Sequence, residues 1–448
     1  VVIGDNRVPI LPVITNERDD ADLWYGIACG ALLVFAAAIR FRNLGSTLFE
    51  DEVWVAELIR HGGWHAHSYS TPPLFYAMCR GWTAIRGISN TAIREPAAIL
   101  GAALCAVPLF APLTRTSRFV SAMLLAFSSP LLFYSGRAKQ YTLEAFAVML
   151  LIVLFLHVNR TGSRMVIIAF FAVGAVAVMT LYSPVFVLVP MALLCIRRPR
   201  LLAGFALLFA LFGLAYLRWL APGAESIRLH GDMNAYFAAN GRWVTSPALL
   251  IAGTMHWVGQ AMNLVRFWWL AATLLVMVWL VRERRLDIAL IAVLPPVMVA
   301  AASTFRLYPY GEVRLMIFCL PALFLLLADS VASVARRLPL LLLLVVPFVI
   351  AGVAGDPYNR TYMHIDDLRP MFEMIARSSV PGEAIYADPS YGEPLRYECP
   401  ALAANIRQGT QSTMTMPGWY IQRITTFRPG GAGVVMRIGD VMAARREP

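Results

Sequence analysis

Three consecutive carboxylates, Glu50, Asp51 and Glu52, follow the first long apolar run of a 448-residue chain. Adjacent acids repel one another, and a carboxylate held close to a low-dielectric region gains basicity, so one of the three can act as a general base. The same residues equally suit a solvated helix N-terminus, where acids are stabilised by the helix dipole. A second group runs from Tyr134 through Arg137, Lys139 and Tyr141 to Glu144. Lys139 is the single lysine beside 37 arginines, so its compact ammonium stands out in a chain that otherwise uses guanidinium for every cation. Arg137 and Lys139 together at headgroup level offer what a lipid phosphate needs, with Glu144 near enough along a helix to neutralise the lysine. The alternative is ordinary snorkelling at an interface. A third group, Arg306, Tyr308, Pro309, Tyr310 and Arg314, forms a second phosphate clamp beside Lys139, or an aromatic belt if taken alone. His61, His65 and His67 cluster near Trp64. They read as polar loop residues, in a spacing that leaves a divalent metal open without requiring one.

The elements that must position these groups are membrane spans. The chain is 59% hydrophobic and 15% charged with mean hydropathy +0.63, too little polar surface for a soluble domain. Its formal charge of +11 comes from arginines scattered between apolar runs, the pattern of orientation signals and not of a nucleic-acid stripe, which excludes nucleic acid as a partner. Five of the six cysteines lie in apolar segments without metal-ligand spacing, and no disulfide framework follows. The polar stretch 1–22 precedes an apolar segment that lacks a small-residue cleavage pattern, so the segment is expected to remain as a span.

A spanning helix needs roughly 17 to 25 apolar residues. Eleven stretches fit or nearly fit: 23–39, 93–113, 119–134, 141–158, 165–181, 184–196, 201–220, 266–281, 286–302, 314–332 and 338–354. With a cytoplasmic N-terminus, five short basic clusters fall on the inside: Arg115 and Arg118; Arg160 and Arg164; Arg197, Arg198 and Arg200; Arg282, Arg284 and Arg285; Arg336 and Arg337. That agreement with the positive-inside rule sets the orientation. It leaves 40–92, 135–140, 221–265 and the tail 355–448 outside, and the three groups of chemistry-bearing residues with them. Within the first outer region, Asp51 to His61 and Pro73 to Ile85 are amphipathic and read as interfacial helices. The tail reads as a small α/β domain, with a helix from Asp366 to Ser378 and strands at Ala384–Asp388 and Gly433–Ile438. No internal repeat is evident, which counts against a transporter made of duplicated halves.

In this order the segments resemble the GT-C glycosyltransferases, especially the bacterial group similar to protein O-mannosyltransferases, lipid A aminoarabinose transferases and rhizobial lipopolysaccharide glycosyltransferases. Asp51-Glu52 stands where that superfamily has an acidic pair after the first helix. Thr71-Pro72-Pro73-Leu74-Phe75-Tyr76 resembles its Pro-Pro-Leu-Tyr-Tyr stretch, and Arg94-Glu95-Pro96 its entry to the second span. Tyr134-Ser135 with Lys139-Gln140-Tyr141, and Tyr308-Pro309-Tyr310-Gly311 before Arg314, are similar to two further loops. Thr71 departs from relatives with Lys or His before the Pro-Pro, which leaves that phosphate contact to Lys139.

The resemblance implies an all-α polytopic GT-C membrane protein with about eleven transmembrane helices and a small α/β extracytoplasmic C-terminal domain, in a bacterial inner membrane. It implies an inverting glycosyltransferase that moves a sugar from a polyprenyl-phosphate donor to a hydroxyl of a glycan, lipid or protein acceptor. Asp51 is the expected base and Glu52 its tuning partner. Lys139, Arg137, Arg306 and Arg314 are the expected phosphate contacts, and Tyr141, Glu144, Tyr308, Tyr310, His67 and Tyr76 the expected cavity lining. The competing classes are a flippase or transporter of a lipid-linked headgroup, and a noncatalytic GT-C scaffold. A transporter calls for ionisable residues at mid-membrane depth, and these spans are nearly free of them away from their ends.

Overall fold

The structure, a computed structural model, describes residues 19–42, 44–61, 71–220, 237–262, 266–283, 285–353, 367–387, 389–408, 418–423, 433–438 and 441–446. His65 and His67 lie outside the described residues, as do 1–18 and 221–236. Each of the eleven apolar stretches is helical over most of its length. Among the described residues six helices are long and apolar enough to cross a membrane, and a bent pair makes a seventh. The helices at 164–180, 184–194 and 339–353 are apolar but shorter. The chain is a multi-pass membrane protein.

Local signals account for the helix boundaries. Helix α1 (Asp19–Arg40) enters the bundle, and α2 (Glu50–His61) and α3 (Pro73–Arg86) follow it as the two amphipathic helices. Helix α4 (Asn90–Ala106) starts where Ser89 accepts a hydrogen bond from the Ala92 amide at 3.1 Å. Thr114 caps α5 (Arg115–Phe127) in the same way. The stretch read as one straight span from 119 to 134 is broken: α5 meets α6 (Ser129–Ser135) at 60°. Pro130, in the first turn of α6, has no amide hydrogen to carry α5 onward, and Arg40 compensates the exposed carbonyls. Its buried guanidinium donates to Leu125 O at 2.9 Å and to Ala126 O and Ala36 O at 3.1 Å.

Helix α7 (Tyr141–Thr161) ends at Gly162, whose φ of +60° provides the left-handed C-cap. Helices α8 (Arg164–Thr180), α9 (Pro184–Leu194) and α10 (Pro199–Ala215) follow. The region 221–265, expected as an outer loop, contains helix α11 (Pro247–Ala261), opened by the Ser246 cap and Pro247. Helices α12 (Arg266–Glu283), α13 (Leu286–Thr304), α14 (Val313–Met316), α15 (Leu320–Ala335) and α16 (Val345–Val353) complete the bundle. In the most apolar window of α7, 78% of residues are buried, and in that of 313–335, 89%; for α1 and α10 the share is 17%. Helix α7 and the α14–α15 segment are therefore central, while α1 and α10 present apolar faces that lipid must cover.

The tail carries α17 (Arg369–Ser378), β1 (Ile385–Ala387), α18 (Pro389–Glu398), β2 (Ile406–Gln408), β3 (Gly418–Arg423), β4 (Gly433–Ile438) and β5 (Val441–Arg446). The strands form one mixed sheet in the order β2-β1-β3-β5-β4, parallel on the β1 side and antiparallel at β3–β5–β4. Phe372, Ile375, Leu395 and Trp419 help fill its separate core. The domain touches the bundle at the segment before α2. Thr47 donates its hydroxyl to Asp367 at 3.1 Å and accepts the Leu368 amide at 2.8 Å, and Asn90 donates to Glu398 at 2.8 Å.

Gly352 of α16 lies against the end of α5, where a Cβ would sit 2.3 Å from the Phe127 carbonyl oxygen. Backbone cannot yield there as a flexible side chain would. Gly352→Val is expected to destabilise the protein by about 1–3 kcal/mol, read as an earlier thermal unfolding midpoint in detergent.

Candidate active site

Glu52 is 1% exposed and accepts five hydrogen bonds. Arg94 Nε and Nη2 donate at 2.8 and 2.6 Å, Arg137 Nη1 at 2.7 Å, the Ala138 amide at 2.8 Å and the Phe49 amide at 2.9 Å. Burial by itself would raise the carboxyl pKa, but the Arg94 and Arg137 guanidiniums outweigh it and hold the group well below the usual carboxylate range. Both oxygens are fully engaged, so Glu52 acts on the site by positioning. It fixes the 136–140 turn to the start of α2.

Arg94 also donates to Leu44 O at 2.9 Å, Ser46 O at 2.7 Å, Ser46 Oγ at 3.0 Å and Thr47 O at 2.9 Å. One buried side chain from α4 therefore moulds the backbone leading into the acidic triplet. Sequence reading identified Arg94 only as part of a motif, and its partners, 42 to 50 residues away, carried no local signal.

The outcome is a small hollow, open to solvent, lined by Phe49, Asp51, Glu52, Phe133, Tyr134, Arg137, Lys139, Tyr141 and Arg314. It brings the expected base and three of the four expected phosphate contacts to one place. Asp51 faces the hollow with its side chain 29% exposed, and its carboxylate lies 3.7 Å from Arg314 Nη1. That separation is well beyond the 2.6–2.8 Å contacts that hold Glu52. Lys139 is buried, with its ammonium 5.7 Å from the Trp54 ring centroid. Arg137 lies 4.8 Å from the Phe133 ring centroid and 5.6 Å from that of Phe49, and its buried Nε has no hydrogen-bond partner among the described residues. Arg314 is braced from behind, with Nε 3.7 Å from Glu312, whose other oxygen is 2.9 Å from Arg242 Nε. Glu312 and Arg242 were missed at the sequence level, since an acid between two arginines in a loop has no distinctive spacing.

One expected phosphate contact and several expected lining residues lie elsewhere. Arg306 is exposed in the loop after α13, with φ +56°, and is not in the wall of the hollow. Tyr310 is buried against α11, bonded to Thr254 at 2.8 Å and Trp257 at 3.3 Å. Tyr308 donates to Leu315 O at 3.0 Å, and burial pushes its phenol pKa well above the ordinary value, so it remains a neutral donor. Tyr76 accepts from Arg80 at 3.1 Å and donates to Leu58 O at 3.5 Å, joining α3 to α2. Glu144 is buried just inside α7 and outside the lining. Tyr310, Tyr308 and Tyr76 meet packing needs that their loop or helix positions alone did not reveal. No cluster of three or more metal-ligating side chains occurs among the described residues.

No protein-family model and no curated protein matches the chain in sequence. Solved structures do match it in shape. ArnT from Cupriavidus metallidurans superposes in the apo state with a TM-score of 0.54 at 15% identity, over 95% of this chain and 98% of that one. The same protein bound to undecaprenyl phosphate gives 0.54 at 14% identity over the same shares. An oligosaccharyltransferase from Archaeoglobus fulgidus, in complex with zinc and sulfate, gives 0.48 at 13% identity over 88% of this chain and 68% of that one. The chain has the same overall fold as ArnT from Cupriavidus metallidurans.

Glu52→Gln leaves two buried guanidiniums short of a counter-charge and is expected to cost about 3–5 kcal/mol in unfolding free energy, whereas Asp51→Asn stays within about 0.5 kcal/mol of the parent. Because the folded pKa of Glu52 is depressed, its contribution is complete above the unfolded value of about 4.3 and declines only as the pH falls below that. The stability gap between the parent and Glu52→Gln should therefore be constant from pH 8 to about pH 5 and narrow under more acidic conditions, as followed by denaturant unfolding in detergent.

Proposed function

We propose that the chain is an inverting glycosyltransferase that uses a polyprenyl-phosphate-linked sugar and acts on the extracytoplasmic side of a bacterial inner membrane. In this reading the bundle has about eleven spans, the N-terminus is cytoplasmic and the C-terminal domain extracytoplasmic. The observation that carries it is the hollow in which one accessible carboxylate, Asp51, faces the cations Lys139 and Arg314. ArnT bound to undecaprenyl phosphate, a protein of the same fold, supports the choice of donor.

The chemistry follows from the two kinds of charge. The acceptor hydroxyl oxygen attacks the anomeric carbon as its proton passes to the Asp51 carboxylate. The bond between that carbon and the phosphate oxygen breaks, and the polyprenyl phosphate leaves with the electron pair. Attack opposite the leaving group inverts the anomeric centre in a single displacement. The added negative charge falls on a phosphate already a good leaving group, so Lys139, Arg314 and the outward side of Arg137 stabilise it without a general acid. Glu52 takes no proton, being saturated with donors, and keeps Arg137 and the 136–140 turn opposite Asp51.

The test uses purified protein in detergent with a panel of polyprenyl-phosphate sugars and acceptors. Asp51→Asn is expected to lower kcat by about 10²–10⁴-fold with little change in KM for the donor. Lys139→Ala should chiefly raise the donor KM, because it removes a contact made to the phosphate before and during transfer. Turnover unaltered in Asp51→Asn would remove the base from this scheme and leave a headgroup transporter or a scaffold as the better account.

A further inference from the structure

Helices α7 to α10 carry a second charged feature at the end remote from the hollow. Residues 145–224 contain no Asp or Glu. At the α7–α8 turn and the α9–α10 turn the same block presents Arg160, Arg164, Arg197, Arg198 and Arg200, all exposed. The two turns are neighbours, since Arg198 Nη1 donates to Asn159 Oδ1 at 2.9 Å. Beneath them α8 and α10 are packed through Phe170, Phe171 and Phe205, with ring centroids 5.6 Å apart across the helices. The arginines therefore stand on a rigid base.

Each other basic cluster at the helix ends holds at least one ion pair. Arg115 pairs with Asp22, Arg285 with Asp287 and Asp329, and Arg336 with Glu283. Arg160, Arg164, Arg197 and Arg200 have no acidic partner among the described residues. The positive-inside rule accounts for the side on which these arginines lie, and says nothing of what screens five of them gathered without a counter-charge.

The surroundings define what would supply the missing charge. Met165 is 75% exposed, Ile196 66% and Ile168 62%, so lipid-facing apolar surface begins directly beside the guanidiniums. Helix α7 begins at the hollow and runs 21 residues, about 30 Å at a rise of ~1.5 Å per residue, placing the patch at the opposite membrane surface. A ligand that covers both features has an anionic phosphate joined to hydrocarbon chains, and guanidinium groups match phosphate oxygens bidentately.

We infer that the α7–α8 and α9–α10 turns form a binding site for an anionic phospholipid, whose phosphate is held by Arg160, Arg164, Arg197 and Arg200 and whose acyl chains lie along α8 and α10. The site is separate from the glycosyl-transfer hollow and does not depend on that activity.

The experiment is native mass spectrometry of the full chain released from mixed micelles containing phosphatidylglycerol and phosphatidylcholine. The parent should retain phosphatidylglycerol at least about fivefold over phosphatidylcholine, and the variant R160Q/R164Q/R197Q/R200Q should bring that ratio close to unity. Arg198 is left in place so that its bond to Asn159 still joins the turns. R336Q/R337Q, at a cluster that holds an ion pair, should keep the parental ratio. If the fourfold variant fails to fold, R160Q/R164Q and R197Q/R200Q measured separately should each lower the ratio. Equal retention of the two lipids by the parent, an unchanged ratio in the patch variants, or an equal loss in R336Q/R337Q would overturn the site. Displacement of the lipid by inorganic phosphate at matched concentration would also overturn it, by assigning the patch to a free anion.

Discussion

Everything around the hollow depends on one buried carboxylate shared by two guanidiniums. Removing Glu52, Arg94 and Arg137 from water costs several kcal/mol per ion, and the cluster of one anion and two cations carries an excess positive charge. The structure answers with the carbonyls of Leu44, Ser46 and Thr47, which absorb donors of Arg94, and with the Phe133 and Phe49 rings near Arg137. The compensation is unequal. Arg94 is fully occupied, while Arg137 keeps an Nε without a partner among the described residues and a share of the excess charge at the wall of the hollow. A positive wall on the hollow is thus a by-product of how the cluster is neutralised.

Two adjacent carboxylates consequently have opposite fates. Helix α2 turns about 100° per residue, so Asp51 and Glu52 point in different directions. Glu52 enters the protein and meets five donors, and Asp51 meets the hollow and a single looser contact to Arg314. The repulsion between neighbouring acids is relieved because Glu52 is already neutralised by the cations around it. Divergent surroundings of this kind are how one local sequence provides both a buried anchor and an accessible carboxylate.

Much of this was legible in the sequence, for identifiable reasons. The apolar runs mark the helices because lipid leaves backbone groups no alternative partners, and all eleven runs are helical. The acidic triplet and Lys139 were visible as rare residue types beside spans, and the hollow unites Asp51 with Lys139. What escaped was set by distant contacts or by signals that hydropathy averaging hides. The break at Ser128 was written in Ser129-Pro130, but a run of apolar residues concealed it. Ser246-Pro247 is a helix start that the polar stretch before it obscured. Arg306 and Arg314 look alike in their loop, yet only Arg314, at the second residue of α14, is carried to the hollow.

The C-terminal domain raises the question of how far the hollow relies on it, and magnitudes decide the matter. Its hydrogen bonds to the bundle, at Thr47 in the 44–49 segment and at Asn90 of α4, are each worth about 0.5–1.5 kcal/mol net, and rather more where a carboxylate accepts, and α18 also packs on α2, with Arg60 3.6 Å from the Tyr397 ring centroid. The opposing grip is Arg94, which holds the same segment through three carbonyls and the Glu52 ion pair, where loss of one partner costs about 3–5 kcal/mol. The inner clamp is the stronger of the two. Loss of the Thr47 contacts to the tail would leave the carbonyls of Leu44, Ser46 and Thr47 fixed to Arg94, so the segment that leads into Asp51 is held chiefly from within the bundle.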